Sequence, residues 1–365
     1  MKGFENDYDR RLRAVIARRT APVEMMAKSA RMSSDVTVER YQANPNYEIY
    51  NSIGEEGSAV RYTVASMARL DPRYTEITYE QGDRVKNQLD KGFSVYGFRC
   101  DFEYQGSVTN DTHIKSYSDI DLLSITQRFI TLEHPQVPTR PYKGNPINDL
   151  REIRETGADA LSKAFPKATV DKSGSKSVSI SGGSLSRKID VVPANWFDTN
   201  AYAKHQAKRF RAIEVLDNKS GSKFKNTPFM HNYLIEKLDR RTQGGLRKSI
   251  RLFKSLKYDS DSVSLSSYDL AALAYNMPEG QLFTNPGGEI PLLARLKVYL
   301  DFVRLNKEFR LGMLVPDESR KVFAPGHATL TGLNELQDEV DDLVEAVCSN
   351  RKKSFEKLAE ARLAY

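Results

Sequence analysis

The stretch QGSVTNDTHIKSYSDIDLL, residues 105–123, decides how the chain is read. A Gly106-Ser107 pair is followed by eleven residues and then by Asp119-Ile120-Asp121. The preceding segment VYGFRCDFEY, 95–104, mixes β-branched and aromatic residues as a strand does, and Ile120, Leu122 and Leu123 begin a second strand. Strand side chains alternate, so Asp119 and Asp121 project from one face about 7 Å apart along the backbone. Two carboxylates on one face repel each other unless a cation lies between them, and hard oxygen ligands at this spacing suit Mg²⁺. Gly106 permits a tight turn and close approach to an anion. Ser107 is placed to cap a following helix, whose free N–H groups would receive phosphate. A hairpin with a solvated turn carries either motif alone. The two together, in this order and between strand-like segments, point to a phosphate cradle beside a metal site.

Further along, KSVSISGGSLSRKIDVVP (176–193) reads as a strand, a Gly182-Gly183 turn and a paired strand. Asp190 lies between Ile189 and Val191 in that second strand. A carboxylate there is costly unless it meets a cation or a strong donor. It either faces water from a half-exposed sheet or completes a triad with Asp119 and Asp121. The segment GGLRKSIRLFKSL (244–256) reads as a helix with Leu246, Ile250 and Phe253 inward and Arg247, Arg251 and Lys254 at its margin. In SLSSYDLAAL (264–273), Ser266 or Ser267 caps a further helix. Lys254 and a serine-capped helix start can together hold a triphosphate tail, although the same pattern also suits an ordinary helix–turn–helix.

The remaining elements frame this centre. Residues 1–94 read mostly as helix, with 33–51 polar and irregular. Residues 149–164 form an amphipathic helix with Leu150, Ile153 and Leu161 on one face, and 210–216 a strand followed by the turn-rich DNKSGSKFKNTP. Four prolines between 131 and 148 mark an extended loop. Residues 228–238, 291–306, 333–347 and 354–364 read as helices, and 277–290 as a loop. At 365 residues, with 39% hydrophobic and 28% charged residues, the chain suits a soluble globular protein of two lobes or one large α+β unit. No apolar run suits a membrane span or a secretory signal, so a cytoplasmic location is expected. Cys100 and Cys348 and the five histidines show no metal-ligand spacing. Between 204 and 257 there are 15 Lys and Arg against 4 Asp and Glu, a net +11 within a chain of net +7. That block implies an anionic partner, nucleoside triphosphates or nucleic acid, unless it is simply a solvated face.

The order Gly106-Ser107, Asp119-Ile120-Asp121 and Asp190 in IDVVPA resembles the polymerase-beta-like nucleotidyltransferase superfamily. With Lys254 in IRLFKSLK and Ser266-Ser267-Tyr268 in LSSYDL, the chain looks more narrowly like the bacterial cyclic-oligonucleotide synthases related to cyclic GMP-AMP synthase, the CD-NTases. The resemblance spans about 95–275. It implies an α+β fold: a mixed sheet with flanking helices plus a helical lobe, bilobal overall. The expected division is a helical brace packed on the core (1–94), a catalytic core (95–217) and a C-terminal helical lobe (218–365). The resemblance implies that Asp119, Asp121 and Asp190 bind two Mg²⁺ ions, with Mn²⁺ as a substitute. It also implies that Gly106, Ser107, Lys254, Ser266 and Ser267 bind nucleotide. Tyr268 stacks on a base in this family, and a half-buried packing role suits it equally. The implied activity is template-independent joining of ATP, GTP or pyrimidine triphosphates into a cyclic second messenger. The product then activates a separate effector in antiphage signalling. A transferase acting on RNA or a protein hydroxyl, and a non-catalytic nucleotide or RNA sensor, are the alternatives; a nucleic-acid partner is possible but not favoured.

Overall fold

The structure is a computed structural model that describes residues 2–20, 49–51, 53, 56–116 and 118–363. Most of the irregular segment expected over 33–51 lies outside the described residues. The chain opens with α1 (Lys2–Arg19), α2 (Ser58–Met67) and α3 (Pro72–Val95), then strands β1 (Cys100–Gln105) and β2 (Ile120–Leu132). Next come α4 (Pro146–Ala164), β3 (Ala168–Asp171), β4 (Val178–Gly182), β5 (Ile189–Asp198), α5 (Asn200–His205), β6 (Ala212–Asp217) and β7 (Ser222–Asn226). The remainder is helical: α6 (Pro228–Arg241), α7 (Gly245–Asp259), α8 (Ser267–Tyr275), α9 (Glu279–Leu282), α10 (Glu289–Leu305), α11 (Lys307–Gly312) and α12 (Leu330–Leu363).

The seven strands form one mixed sheet. β2 runs antiparallel to β1 and parallel to β5. The far side of β5 is shared: its first half pairs with β4 and its second half with β6. The sheet therefore forks, into β4–β3 at one end and β6–β7 at the other. Alternation along β2 and β5 divides their side chains between two faces. Ile120, Leu122, Ile189 and Val191 meet Val85, Leu89 and Phe93 of α3 and Ile153 and Leu161 of α4. Leu123, Ile125, Val192 and Ala194 line the other face. Asp121 and Asp190 share the parity of that second set, at the end where the apolar stripe stops.

A separate helical core joins Leu12 and Val15 of α1, Val60 and Met67 of α2, Ile250 and Phe253 of α7, Leu273 of α8, Leu296 of α10 and Val340 of α12. Each fully buried Leu, Ile or Phe contributes about 1.5–3 kcal/mol, which makes this core the main source of stability in the lobe. The N-terminal segment, expected as a single brace on the sheet, divides between the two cores. Its first two helices join the helical lobe, and only α3 packs on the sheet.

Local signals set the helix starts. Asp71 accepts from the Arg73 N–H at 3.0 Å with Pro72 in the first turn, and Asn145 does the same for Ile147 with Pro146 following. Two expectations about the strands fail. Val95 ends α3 instead of opening β1, because Gly97 takes a left-handed φ of +72° that stops the helix. The turn-rich segment after 217 contains a strand, β7, pairing with β6 from Ile213↔Asn226 to Asp217↔Ser222.

The helical lobe carries a buried ion pair. Arg18 of α1 and Asp259 of α7 meet at 2.9 Å with their side chains 3% and 4% exposed, and Tyr62 donates to the same carboxylate at 2.7 Å. Removing one member leaves the other charged and dry. Arg18→Ala should therefore destabilise the protein by about 3–5 kcal/mol, read by chemical denaturation, and a loss below about 1 kcal/mol would show that water reaches Asp259.

Candidate active site

The segment between Gly106 and β2 is held by cations from two directions. Arg247, Arg251 and Lys254 lie on one face of α7, spaced four and three residues apart. They donate to three successive carbonyls: Arg247 to Asn110 at 2.7 Å, Arg251 to Asp111 at 2.7 Å and Lys254 to Thr112 at 2.7 Å. Arg187, from the loop before β5, donates to the Ser116 carbonyl at 2.6 Å. Asp111 adopts φ +56°, so the chain reverses within this clamp. These contacts explain why Ser107 starts no helix. Carbonyls 110–112 are taken by side chains, and residues 107–111 form turns closed by Thr112 N–H donating to the Ser107 carbonyl at 2.9 Å. His113 is buried inside the same segment, its Nε2 3.1 Å from the Thr75 hydroxyl. Burial and the nearby cations push it down to about 3, so it is neutral.

The acidic residues sit beside this loop. Asp121 and Asp190 are Cα partners on the parallel strands β2 and β5, whose backbones run about 4.8 Å apart. Asp119 stands one residue before β2. All three line one cavity of about 590 Å³. Gly106, at φ +88°, closes over Asp121 so tightly that a Cβ would lie 2.5 Å from the carboxylate Oδ2. Only glycine allows both the turn and that approach.

The electrostatics fit a site built around positive charge. Burial, then Asp190 and Asp119, pushes the Asp121 carboxyl up to about 6. Burial also raises Asp119, with Asp190 adding to it and Lys188 and Lys115 opposing. Asp190 accepts from the Lys188 ammonium at 2.9 Å and from the Ser179 hydroxyl. Among the described residues no three His, Cys, Asp or Glu side chains are assembled at ion-binding spacing. The donor set itself, three hard carboxylates lining one cavity, fits a divalent cation such as Mg²⁺.

The nucleotide-binding candidates divide. Lys254 and Ser267 line the 590 Å³ cavity together with the acidic residues. With Ser107 and Asp121 they also line a smaller cavity of about 290 Å³. Burial, then Arg251 and Lys115, pulls the Lys254 ammonium down to about 8. Ser266 is the N-cap of α8: it accepts from the Asp269 N–H at 3.1 Å and donates to the Asp269 carboxylate at 2.6 Å, so its hydroxyl is spent on the helix. Ser267 is the neighbour left facing the cavities. Tyr268 lines the smaller cavity while its ring stacks on His231, centroids 5.0 Å apart, and its hydroxyl lies 3.3 Å from Asp317. One ring thus packs against the lobe and borders a cavity. The reading from sequence missed Ser179, Lys188 and the clamp formed by Arg247 and Arg251. Their spacing on α7 was the available signal.

No family model matches the chain. It is 36% identical over 315 residues to the cyclic dinucleotide synthase CdnE of Yersinia aleksiciae, spanning 84% of this chain and 82% of that protein. It is 29% identical over 283 residues to a c-di-GMP synthase of Capnocytophaga granulosa, spanning 71% and 78%. The solved STING-associated CdnE c-di-GMP synthase from Capnocytophaga granulosa superposes with a TM-score of 0.70 at 26% identity, over 94% of this chain and 99% of that one. The Rhodothermus marinus CdnE c-UMP-AMP synthase, 15% identical, shares the fold with a TM-score of 0.59 over 77% and 94%. This chain therefore belongs to the CD-NTase family, the cyclic-oligonucleotide synthases built on the polymerase-beta-like nucleotidyltransferase fold.

Proposed function

We propose that Asp119, Asp121 and Asp190 are the catalytic carboxylates of a synthase that joins nucleoside triphosphates into a cyclic oligonucleotide. The observation that carries this reading is the pairing of Asp121 with Asp190 on adjacent strands, in one cavity with Lys254 and Ser267. ATP, GTP or a pyrimidine triphosphate enters as donor. Its phosphates lie against the Gly106–Ser107 turn, with the Lys254 ammonium and Ser267 on the triphosphate. A ribose hydroxyl of the acceptor forms a bond to the α-phosphorus, the bond to the bridging oxygen breaks, and pyrophosphate leaves. Asp190 takes the hydroxyl proton, and Ser179 and Lys188 orient its carboxylate for that transfer. Asp119, Asp121 and Asp190 would hold two divalent ions, Mg²⁺ or Mn²⁺, which would supply charge stabilisation of the attacking and leaving oxygens. Tyr268 stacks on a base at the border of the smaller cavity. In this reading 95–217 is the catalytic core and the helical lobe begins at 218.

Among the described residues no helix is long and apolar enough to cross a membrane. The relative from Capnocytophaga granulosa is described as STING-associated, which supports a product that activates a separate effector protein in antiphage defence.

Labelled triphosphates with Mg²⁺ should yield a phosphatase-resistant product. Asp119→Ala/Asp121→Ala should lower its formation by roughly 10³-fold or more, while melting no earlier than wild type because the repelling carboxylates are gone. A linear or macromolecule-attached product would reject cyclisation, and an unimpaired double variant would reject the assignment of these carboxylates.

Lys254 makes nucleotide affinity depend on pH. Below about 8 its ammonium is charged and meets the triphosphate directly. Above that value binding must first take up a proton, so affinity should fall by up to about tenfold per pH unit. Lys254→Arg keeps the charge and should flatten the profile between pH 7.5 and 9.5. Parallel slopes for the two proteins, measured by calorimetry with a non-hydrolysable triphosphate, would exclude this role.

A further inference from the structure

We propose that Asp261, assisted by Lys115, reads the Watson–Crick edge of a guanine base and biases the enzyme toward GTP; this rests on the synthase reading above. Asp261 lies in the segment joining α7 to α8 and lines the same cavity as Asp119 and Asp190. It is exposed to that cavity and makes no hydrogen bond or ion pair among the described residues. Its isolation is not for want of cations. Three lysines line the same space, and each is engaged elsewhere. Lys254 donates to the Thr112 carbonyl, Lys257 donates to the Leu265 carbonyl, and the Lys115 ammonium sits 3.9 Å over the Tyr258 ring. The two Asp261 oxygens are therefore open to the cavity, beside three lysines and the carboxylates of Asp119, Asp121 and Asp190.

The chemistry of nucleotides narrows which donor meets them. An ionised carboxylate only accepts hydrogen bonds, so it turns away phosphate and carbonyl oxygens. Guanine alone presents two adjacent donors, N1–H and the 2-amino group, which match the two oxygens of one carboxylate. Adenine and cytosine each place a lone pair beside their amino group, and uracil sets its N–H between two carbonyls. Against any of these, one Asp261 oxygen would face another acceptor. Lys115, a donor without acceptor capacity, suits guanine O6 beside that edge, and its contact with Tyr258 holds it on the same wall.

The test is competition among GTP, ITP and ATP with the full-length enzyme and Mg²⁺, reading kcat/KM for each base and the base content of the product. Wild type should prefer GTP over ATP and should use ITP, which lacks the 2-amino group, less well than GTP. Asp261→Asn and Asp261→Ala should each lower the GTP:ATP ratio by about tenfold or more, the scale of a lost charge-assisted pair, and Asp261→Ala should no longer separate GTP from ITP. Because the carboxylate has no partner among the described residues, neither variant should lower the melting temperature. An unchanged ratio in both variants overturns the proposal. So does an equal loss with every base, which would place Asp261 on the ribose hydroxyls, or a wild type without guanine preference. If wild type makes no oligonucleotide from any triphosphate, the synthase reading falls and this inference with it. An active wild type whose variants keep its base ratio leaves that reading intact and rejects Asp261 alone.

Discussion

Three cations on one face of α7 grip three consecutive carbonyls of the loop that follows Gly106, and the site depends on that grip. A hydrogen bond from a charged donor is worth about 1.5–3 kcal/mol, and here each also satisfies a carbonyl that no helix or strand would satisfy. The contact does two things together. It fixes the turn that closes over Asp121, and it ties the helical lobe to the sheet, because α7 buries its opposite face in the lobe core. Burial has a cost along this face. It pulls Arg251 down to about 10 and Lys254 to about 8. Arg251 stays charged at neutral pH regardless, whereas Lys254, at the cavity, holds its proton by a narrower margin.

The acidic end of the sheet works against stability. Asp121 and Asp190 occupy paired positions on neighbouring strands, and burial raises the cost of their charges. Lys188 and Ser179 relieve Asp190, and Asp121 keeps part of the strain in a raised affinity for protons. Such a cluster would be replaced by apolar residues if folding were its only purpose. The helical core and the clamp supply the stability that lets it persist.

Much of this was legible in the sequence, and the failures have physical causes. Gly106, Asp119, Asp121 and Asp190 could be read because strand alternation and the glycine requirement are local. Helix periodicity placed Lys254 at the margin of α7, and a serine cap marked the start of α8. The helix expected after Ser107 does not form because its carbonyls are claimed by residues about 140 positions later, a long-range contact no local pattern encodes. Ser266 and Ser267 could not be told apart in advance: which hydroxyl caps α8 depends on where the helix starts by a single residue. β7 hid in a segment of lysines, serines and asparagines, since an edge strand with an exposed face needs little hydrophobic signal. The N-terminal helices carried apolar stripes with no indication of which core would receive them.

The most direct test of the account is a crystal structure of the protein with Mg²⁺ and a non-hydrolysable GTP analogue. The account predicts the triphosphate between the Gly106–Ser107 turn and the Lys254–Ser267 pair, with metal density bridging it to Asp119, Asp121 and Asp190. A nucleotide bound away from that cavity, or Asp190 still paired to Lys188 with no metal beside it, would contradict the account.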